Sequence, residues 1–437
     1  MSEWLVEGAG PLAGEISVNG DKSVSHRALL VGAVCEGPVR VRGFGGSADT
    51  LATLAAVRAL GVQVDEVSPT ELVVHGVGLR GLEEPAGIID VHNSGTLLRL
   101  LPGLLVGQPE GTYTLDGDAS IRRRPVVRIA TPLGLMGAVI ASTDGGAPIT
   151  IDGGHPLTGI TYELPVASAQ VKSCLLLAGL LAEGETTVVE RLATRDHTER
   201  LLRAAGVRVR RHVGAVSLRP SQALRLAEIE VPGDFSSAAF FIVAATLVPE
   251  SHLFLRGVGV NPGRTGLLTV LERMGARIGL FNRRTTAAGE PIADIEVRHA
   301  ELSATEVEPE IVPSLIDELP LIALAAARAR GTMVVTGAAD LRKKESDRIE
   351  TVAEALNACG ARIEAFDDGW RIRGVAVRIR GGVVEPHGDH RIAMMAAIAG
   401  LYSEQGVRVK DPECIDVSFP GFREILRALE TAIAERE

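Results

Sequence analysis

The sequence predicts an α/β protein of two domains, each built from three copies of one repeating unit. Three observations predict this: the chain length, an apolar helical pattern that recurs six times, and an amphipathic pattern that alternates with it. A chain of 437 residues is too long for one compact core and suits two domains. Ala, Val, Leu and Gly dominate a composition that is 46% hydrophobic, which is typical of a folded α/β protein.

The first pattern is an Ala- and Leu-rich run that follows a strand-like segment and a small or polar patch. These runs are apolar nearly all round, so each is predicted to form a helix buried in a domain interior. The copies read GDKSVSHRALLVGAV from residue 20, VHNSGTLLRLLPGLL from 91, PVASAQVKSCLLLAGLL from 165, VPGDFSSAAFFIVAATLV from 231, VPSLIDELPLIALAAARA from 312 and PHGDHRIAMMAAIAGL from 386.

The second pattern is an amphipathic helix that usually ends in a glycine turn and a short strand. Apolar residues recur at three-to-four spacing, and Gly stands where a left-handed C-cap is expected. Two helices and several strands therefore form one unit, although a solenoid is the other architecture that such repeats build. The copies are DTLATLAAVRALGVQV, RRRPVVRIATPLGLMGAVI, HTERLLRAAGVRV, RTGLLTVLERMGARI, RIETVAEALNACGARI and GFREILRALETAI.

Charge and cysteine content exclude several classes of protein. A net charge of -10 argues against nucleic-acid binding, although locally gathered cations can still bind a small anion. The four cysteines are far apart and form no C-x-x-C pair, which fits a reducing cytoplasm rather than a disulfide framework. The sequence shows no leader peptide and no apolar run of about 20 residues, so neither export nor membrane spanning is expected.

The starts of the first-pattern helices carry most of the residues capable of chemistry. A helix N-terminus exposes unpaired N–H groups and a partial positive charge, which together favour bound anions. If three such ends point one way in each domain, their lysines and arginines would form an anion site between the domains. The candidates are Lys22, Ser23, Arg27, Asn93, Ser94, Gly95, Arg124, Ser168, Gln170, Lys172, Arg195, Asp317, Lys344, Glu345, Ser346, Asp347, Arg348 and Arg391.

Each candidate taken alone also fits a plain structural role. Ser, Asn and Asp at helix starts are ordinary caps, and KKESDR could be a solvated helix start. His387 and His390 have metal-like spacing but lack a third ligand for zinc. A P-loop is excluded because Asp21 separates Gly20 from Lys22. What favours anion binding is the recurrence of cations and carboxylates at equivalent positions of one repeat.

Nine short motifs occur in a fixed order along the chain. They are GDKSVSHR, NSGT, RRRP, SAQVKS, TRDHTER, PGDFSSAAF, LIDELP, KKESDRI and GDHRIAM. As a set they resemble the 5-enolpyruvylshikimate-3-phosphate synthases over essentially the whole chain. The resemblance implies two inside-out α/β barrels, each of three βαβαββ units, joined by two chain crossovers. By this resemblance, residues 20–231 would form the domain on the shikimate 3-phosphate side, and residues 1–19 and 232–437 would form the other domain. The active site would lie in the cleft between the two domains.

The resemblance also implies the reaction. The enolpyruvyl group of phosphoenolpyruvate would be transferred to the 5-hydroxyl of shikimate 3-phosphate, with release of phosphate by addition and elimination, as a step of aromatic amino-acid biosynthesis. Two phosphates and two carboxylates in one site require several cations, and an addition to an enol ether requires an acid and a base. No metal or organic cofactor, no nucleic acid and no membrane partner are expected, and the chain is expected to be a cytoplasmic monomer.

Residue roles follow from the matched motifs. The resemblance implies Lys22, Asp317 and Glu345 as catalytic residues, with Asp317 as the base at the 5-hydroxyl and Glu345 as the acid at C3. The acid and base division among these three is left open. The implied shikimate 3-phosphate ligands are Lys22, Ser23, Arg27, Ser168, Ala169, Gln170, Arg195, Asp317 and Lys344. The implied phosphoenolpyruvate ligands are Lys22, Asn93, Gly95, Arg124, Gln170, Glu345, Arg348 and Arg391.

The sequence departs from the best-studied branch of the family at three positions. Ala169 and Arg195 each replace a Ser, and Val417 replaces a Lys near the phosphoenolpyruvate end. Gly95 is kept, and because an Ala there narrows the phosphoenolpyruvate site in tolerant members, glyphosate is expected to inhibit.

Two alternatives remain. One is the sister transferase that acts on UDP-N-acetylglucosamine, which has Lys-Asn at the position of Lys22-Ser23 and usually a Cys in the loop that reads DGDASIRRRP here. The other is a non-enzymatic repeat scaffold, which loss of Lys22, Asp317 or Glu345 would have favoured.

Overall fold

Strands and helices alternate along the chain in the repeating order predicted from the sequence. The computed structural model describes residues 2–8, 10–375 and 377–434, with side chains to residue 429. The strands are β1 (Glu3–Val6), β2 (Ala13–Ser17), β3 (Glu36–Arg42), β4 (Gln63–Ser68), β5 (Glu71–Val77), β6 (Ile89–Asp90), β7 (Thr112–Asp116), β8 (Val139–Thr143), β9 (Gly146–Asp152), β10 (Thr161–Glu163), β11 (Thr186–Val189), β12 (Val209–His212), β13 (Ala215–Leu218), β14 (Glu228–Glu230), β15 (His252–Gly259), β16 (Arg277–Thr285), β17 (Pro291–Arg298), β18 (Glu306–Val307), β19 (Thr332–Val335), β20 (Ile363–Phe366), β21 (Gly369–Arg373), β22 (Gly382–Val384) and β23 (Val407–Lys410).

The α-helices include both predicted series. They are α1 (Lys22–Ala33), α2 (Ala48–Ala59), α3 (Gly95–Leu100), α4 (Pro102–Leu105), α5 (Ala119–Arg123), α6 (Val127–Leu135), α7 (Ala169–Gly179), α8 (His197–Ala204), α9 (Phe235–Leu247), α10 (Gly266–Arg273), α11 (Leu319–Arg328), α12 (Arg348–Ala358), α13 (His390–Leu401) and α14 (Phe422–Ala434). Short 3₁₀ helices cover Val312–Ser314, Ala339–Lys343 and Pro412–Val417.

The chain divides into two units. We call Asn19–Pro232 together with Thr285–Pro291 the central unit, and Met1–Val18, Gly233–Arg284 and Ile292–Glu437 the terminal unit. The central unit holds residues 285–291, which the sequence prediction had grouped with the other domain. Each unit has a large apolar core of its own, contributed mostly by the first-pattern helices and the inner faces of the sheets.

The described residues form six small sheets, three in each unit. The central unit has the strand orders β14-β3-β5-β4, β6-β7-β9-β8 and β10-β11-β13-β12. The terminal unit has β16-β17-β15-β2, β18-β19-β21-β20 and β1-β23-β22. A typical sheet pairs its first two strands in parallel and its last strands antiparallel, as β6 does with β7 and β9 does with β7 and β8. The predicted α/β class with six related units is confirmed.

Two strands belong to a different unit from the helix that follows them in the chain. β2 precedes α1 but runs parallel to β15, with Gly14 opposite Leu253, so it belongs to the terminal unit. β14 precedes α9 but runs parallel to β3, with Ile229 opposite Val41, so it belongs to the central unit. The sixth sheet differs from the predicted repeat, because β1 from the start of the chain pairs antiparallel with β23. β1 thereby satisfies backbone groups that β23 would otherwise expose.

The first-pattern helices are buried as predicted. All 13 residues of α9 are buried, because a helix without a polar face is stable only where every side is shielded from water. The run from residue 91 is divided into α3 and α4 rather than forming one helix. Pro102 starts α4, and a proline inside a helix lacks the N–H and clashes with the preceding turn. Among the described residues, every helix falls short of the length and apolarity that a membrane span requires.

Candidate functional site

Side-chain caps hold the starts of the helices that carry the predicted site residues. Ser168 Oγ accepts a hydrogen bond from Val171 N at 3.3 Å, and Asp389 Oδ1 accepts one from Arg391 N at 3.0 Å. Asp21, Ser94 and Asp347 cap α1, α3 and α12 in the same way. The capping role that the sequence left open is therefore observed for these residues. Their hydrogen bonds fix the first turns that follow, where the candidate cations lie.

The start of α1 is locked by close backbone packing. A Cβ on Gly20 would lie 1.8 Å from Gly43 O, so only glycine fits there. Asp21 N also donates to Pro232 O at 2.7 Å. Lys22 follows this fixed point, and its Nζ donates to Asp49 Oδ2 at 2.9 Å. The Lys22 ammonium is thus held beside a carboxylate that the sequence prediction did not include.

Arg27 lies one turn further along α1 and is 4% exposed. Its Nε donates to Thr198 Oγ1 at 2.7 Å, its Nη2 to Ser173 Oγ at 2.9 Å and its Nη1 to Ser23 O at 2.9 Å. Burial lowers the pKa of Arg27 to about 10, and the positive charge of Arg195 acts in the same direction. The positive charge of Arg195 therefore acts on Arg27, as expected where cations are gathered to bind an anion.

A second cluster surrounds the start of α3. Arg124 Nη2 donates to Asn93 Oδ1 at 2.9 Å, and Asn93 Nδ2 donates to Asp118 Oδ2 at 2.6 Å. A Cβ on Gly95 would lie 2.7 Å from Arg124 Nη1 and 3.0 Å from Arg99 Nη1. Gly95 therefore provides the space in which two guanidinium groups meet.

Helix α7 connects the two clusters of the central unit. Near its start, Gln170 Oε1 accepts from Arg99 Nη1 at 2.9 Å, and Gln170 Nε2 donates to Thr96 Oγ1 at 3.0 Å. One turn later, Ser173 contacts Arg27 as described above. A single rigid helix thus sets the spacing between the Arg27 cluster and the Gly95 cluster.

Lys172 is not available to a ligand, which corrects its place among the candidates. Its side chain is 0% exposed and its Nζ lies 3.0 Å from Glu190 Oε2 and 2.8 Å from Glu199 Oε1. A buried ammonium is stable only when it is paired in this way. Lys172 therefore stabilises the interior of the central unit and anchors α8 through Glu199.

Arg348 is the centre of the candidate site in the terminal unit and is 1% exposed. Its Nε donates to Asp389 Oδ2 at 2.8 Å and its Nη2 to Glu345 Oε2 at 2.7 Å. Asp317 Oδ1 lies 3.7 Å from Nη1. Burial disfavours the charged guanidinium, but the three carboxylates outweigh burial and raise the pKa of Arg348 above its usual value. Burial also disfavours the Asp389 carboxylate, and Arg348 reverses this, so the pKa of Asp389 is lowered.

The other predicted residues of the terminal unit adjoin this centre. Lys344 Nζ lies 3.9 Å from Asp317 Oδ1, and Arg391 Nη1 donates to Asp317 O at 3.1 Å. Arg391 Nη1 also lies 3.7 Å from the buried carboxylate of Glu318, which accepts a hydrogen bond from Ser236. The terminal unit thus contains one group of alternating charge, which consists of Asp317, Lys344, Glu345, Arg348 and Arg391.

Several residues that build these clusters are absent from the sequence prediction. Arg99 lies four residues after Gly95, and this spacing, which puts both on one helix face, could have indicated it. Asp49, Thr198 and Asp389 gave no comparable signal, because their partners are distant in sequence. Val417 is partly exposed at the end of a 3₁₀ helix.

The histidine pair considered for zinc gains no further ligand. Within residues 2–8, 10–375 and 377–434, no group of three or more His, Cys, Asp or Glu is arranged to hold a metal ion. His387 Nε2 instead lies 3.3 Å from Glu354 Oε2 in an exposed pair.

The buried His26 beside these clusters predicts a pH dependence of stability. Its Nδ1 lies 2.6 Å from Thr53 Oγ1, and burial lowers the pKa of His26 to about 3. Between about pH 6.5 and pH 3 the unfolded chain binds a proton at this position and the folded chain does not. Stability should therefore fall as the pH falls, by up to about 1.4 kcal/mol per pH unit from this residue.

The variant His26→Gln should flatten the loss of unfolding free energy between pH 6.5 and pH 4.5, measured by denaturant titration. The exposed His155, changed to Gln, is the matched control and should keep the wild-type slope. Identical pH profiles for His26→Gln and the wild type would contradict the prediction.

Comparisons with known proteins indicate the family of this chain. Residues 6–426 match the model of the family described as EPSP synthase (3-phosphoshikimate 1-carboxyvinyltransferase). A 3-phosphoshikimate 1-carboxyvinyltransferase of Acidithiobacillus ferrooxidans is 50% identical over 422 residues, which cover 97% of this chain and 96% of the relative. One from Geobacter sp. (strain M21) is 50% identical over 428 residues, with 98% and 99% covered.

A solved structure supports the same conclusion. The EPSP synthase of Acinetobacter baumannii has a TM-score of 0.87 and 44% sequence identity, and the match covers 98% of each chain. None of these matches favours the UDP-N-acetylglucosamine transferase that the sequence left as an alternative. The chain therefore belongs to the EPSP synthase (3-phosphoshikimate 1-carboxyvinyltransferase) family.

Proposed function

We propose that this protein transfers the enolpyruvyl group of phosphoenolpyruvate to the 5-hydroxyl of shikimate 3-phosphate. The observation that carries the proposal is the pairing of buried arginines with capped helix starts in both units. The substrates carry two phosphates and two carboxylates, and guanidinium groups held by carboxylates and hydroxyls are preorganised to bind such anions.

The central unit supplies most of the binding residues. The residues assigned to shikimate 3-phosphate are Lys22, Ser23, Arg27, Ser168, Ala169, Gln170 and Arg195. The residues assigned to phosphoenolpyruvate are Lys22, Asn93, Gly95, Arg124 and Gln170. Because α7 carries both Gln170 and Ser173, it sets the distance between the two sets, which supports binding of the two substrates side by side.

The terminal unit supplies the proton-transfer groups. Asp317 takes the proton from the 5-hydroxyl while that oxygen attacks C2 of phosphoenolpyruvate, and Glu345 protonates C3. The tetrahedral intermediate then loses a C3 proton and phosphate, which leaves the enolpyruvyl ether. Lys344 is assigned to shikimate 3-phosphate, and Arg348 and Arg391 to phosphoenolpyruvate.

Arg348 also links the proposed phosphoenolpyruvate ligands to the proposed acid. It donates to Glu345 at 2.7 Å, so the two side chains are held together. An anionic substrate that binds Arg348 competes with Glu345 for the guanidinium, which would free the Glu345 carboxyl group to approach C3.

The proposed activity is tested by phosphate release. Purified protein should release phosphate only when shikimate 3-phosphate and phosphoenolpyruvate are both present. Replacement of shikimate 3-phosphate by UDP-N-acetylglucosamine should give no release. Release with the nucleotide sugar, or none with shikimate 3-phosphate, would overturn the proposal.

Gly95→Ala is expected to raise the KM for phosphoenolpyruvate about tenfold and to leave the KM for shikimate 3-phosphate within about twofold. The new methyl group would displace the Arg124 guanidinium, which a Cβ would approach to 2.7 Å. Initial rates at varied substrate concentrations measure both constants. Gly134→Ala in α6 is the matched control, since its Cβ would meet nothing within 4 Å. Equal KM values for Gly95→Ala and the control would contradict the assignment.

Two further expectations stay predictions. Glyphosate should inhibit the wild type in competition with phosphoenolpyruvate and should inhibit Gly95→Ala less, because the added methyl narrows the same space. The protein should also elute as a monomer in size-exclusion chromatography.

A further inference from the structure

The hairpin of β16 and β17 contributes its tip to the central unit although its strands lie in the terminal unit. The tip, Thr285–Pro291, is grouped with the central unit. Ala288 of the tip is 2% exposed and belongs to the apolar core of that unit. The tip is therefore packed into the central unit rather than exposed as an ordinary hairpin turn.

Polar contacts fix the tip against the start of α8. Glu290 Oε1 lies 2.9 Å from His197 Nδ1, and both side chains are buried. Arg200 Nη1 donates to Gly289 O at 2.8 Å. Within the tip, Glu290 N donates to Thr286 Oγ1 at 3.0 Å, which holds the backbone of Glu290 across the turn.

The first turn of α8 also contacts the Arg27 cluster. Four consecutive residues each have a separate partner: His197 contacts Glu290, Thr198 accepts from Arg27, Glu199 pairs with Lys172, and Arg200 binds the tip. A displacement of the first turn of α8 would therefore move the Thr198 hydroxyl that orients the Arg27 guanidinium.

The charge of Glu290 also acts on this cluster. Burial lowers the pKa of Arg27, and the positive charge of Arg195 acts in the same direction. The carboxylates of Glu199, Asp21 and Glu290 counteract both effects. Removing the negative charge at position 290 would leave the repulsion between Arg27 and Arg195 less balanced. The tip thus supports the Arg27 guanidinium mechanically, through α8, and electrostatically, through the charge of Glu290.

We propose that the tip of the β16–β17 hairpin positions the shikimate 3-phosphate side of the site, with Glu290 as its principal positioning residue. The inference rests on the proposed function, and it adds a residue that acts through His197 and Arg27 without contacting the substrate. Ordering this turn of α8 before binding lowers the cost of assembling the anion site.

The test compares three variants in steady-state kinetics and in direct binding of shikimate 3-phosphate. Glu290→Ala should raise the KM and Kd for shikimate 3-phosphate about tenfold, with the KM for phosphoenolpyruvate and kcat within about twofold. Glu290→Gln keeps a hydrogen-bond acceptor for His197 but loses the charge, so its increase should be smaller, about threefold.

Glu296→Gln is the matched control. It removes the charge from another His–Glu pair, in which His252 Nε2 lies 2.7 Å from Glu296 Oε1 within the terminal unit. Its kinetic constants should equal those of the wild type.

The outcomes separate this inference from the proposed function. If the wild type releases no phosphate with both substrates, the proposed function fails and the inference fails with it. If the wild type is active and Glu290→Ala leaves the shikimate 3-phosphate KM within about twofold, the inference alone fails. Equal increases in both KM values in Glu290→Ala also overturn it, because they indicate general destabilisation. If Glu290→Ala does not fold, Glu290→Gln decides by the same criteria.

Discussion

Glu345→Gln and Asp317→Asn should each reduce kcat by about 10²–10⁴-fold while the protein remains folded. Each substitution keeps the shape of the side chain and removes its ability to transfer a proton. Both side chains are partly exposed, and Asp389 remains as the closest buried partner of Arg348 in either variant. The loss should therefore appear in kcat, with thermal denaturation showing a cooperative transition near that of the wild type.

Glu364→Gln is the control for these variants. Glu364 pairs with Arg371 on the surface of the terminal unit, and both side chains are more than half exposed. Its kcat should match that of the wild type. A kcat within about twofold of the wild type for Glu345→Gln or Asp317→Asn would refute the role assigned to that residue.

The acid and the base can be distinguished by isotope exchange. In heavy water the wild type should incorporate deuterium at C3 of phosphoenolpyruvate when both substrates are present, because C3 is protonated and deprotonated reversibly. Glu345→Gln should lose this incorporation if Glu345 is the acid. Normal deuterium incorporation in Glu345→Gln would show that another group, such as Lys22, protonates C3.

Arg348→Met should lower the free energy of unfolding by about 3–5 kcal/mol. The substitution leaves the Asp389 carboxylate buried without its principal counter-ion, and buried uncompensated charges are costly. Denaturant titration at neutral pH measures the loss. The difference from the wild type should shrink as the pH falls, since protonation of Asp389 in the variant removes the buried charge.

Two comparisons test the reason for this loss. Arg371→Met breaks an exposed pair and should cost no more than about 1 kcal/mol. Adding Asp389→Asn to Arg348→Met should restore part of the lost stability, since Asn can still cap α13. A double variant less stable than Arg348→Met would show that the uncompensated charge is not the cause.

The sequence predicted the elements of this fold well because their signals are local. Helices such as α9 and α13 are apolar all round, and this alone determines that they are buried. The glycine turns after the amphipathic helices also follow from local backbone preferences. The division of the run from residue 91 was missed, although Pro102 carried a signal for it.

The family, and with it the reaction, was also determined by the sequence, because many short motifs occur together in one order. Single motifs were ambiguous: Ser94 and Ser168 both cap helices, although Ser168 is also a proposed ligand, and Lys172 is a buried, paired ion. A residue type at a helix start does not by itself distinguish a ligand from a cap.

Only the tertiary structure decided the contacts between segments that are distant in the chain. These include the exchange of β2 and β14, the pairing of Lys22 with Asp49 and of Arg348 with Asp389, and the docking of Glu290 on His197. The physical reason is that such pairs depend on where whole helices and sheets pack, and one sequence without related sequences carries no record of that packing. Local pattern determined which groups this protein has, and long-range packing decided which of them act together.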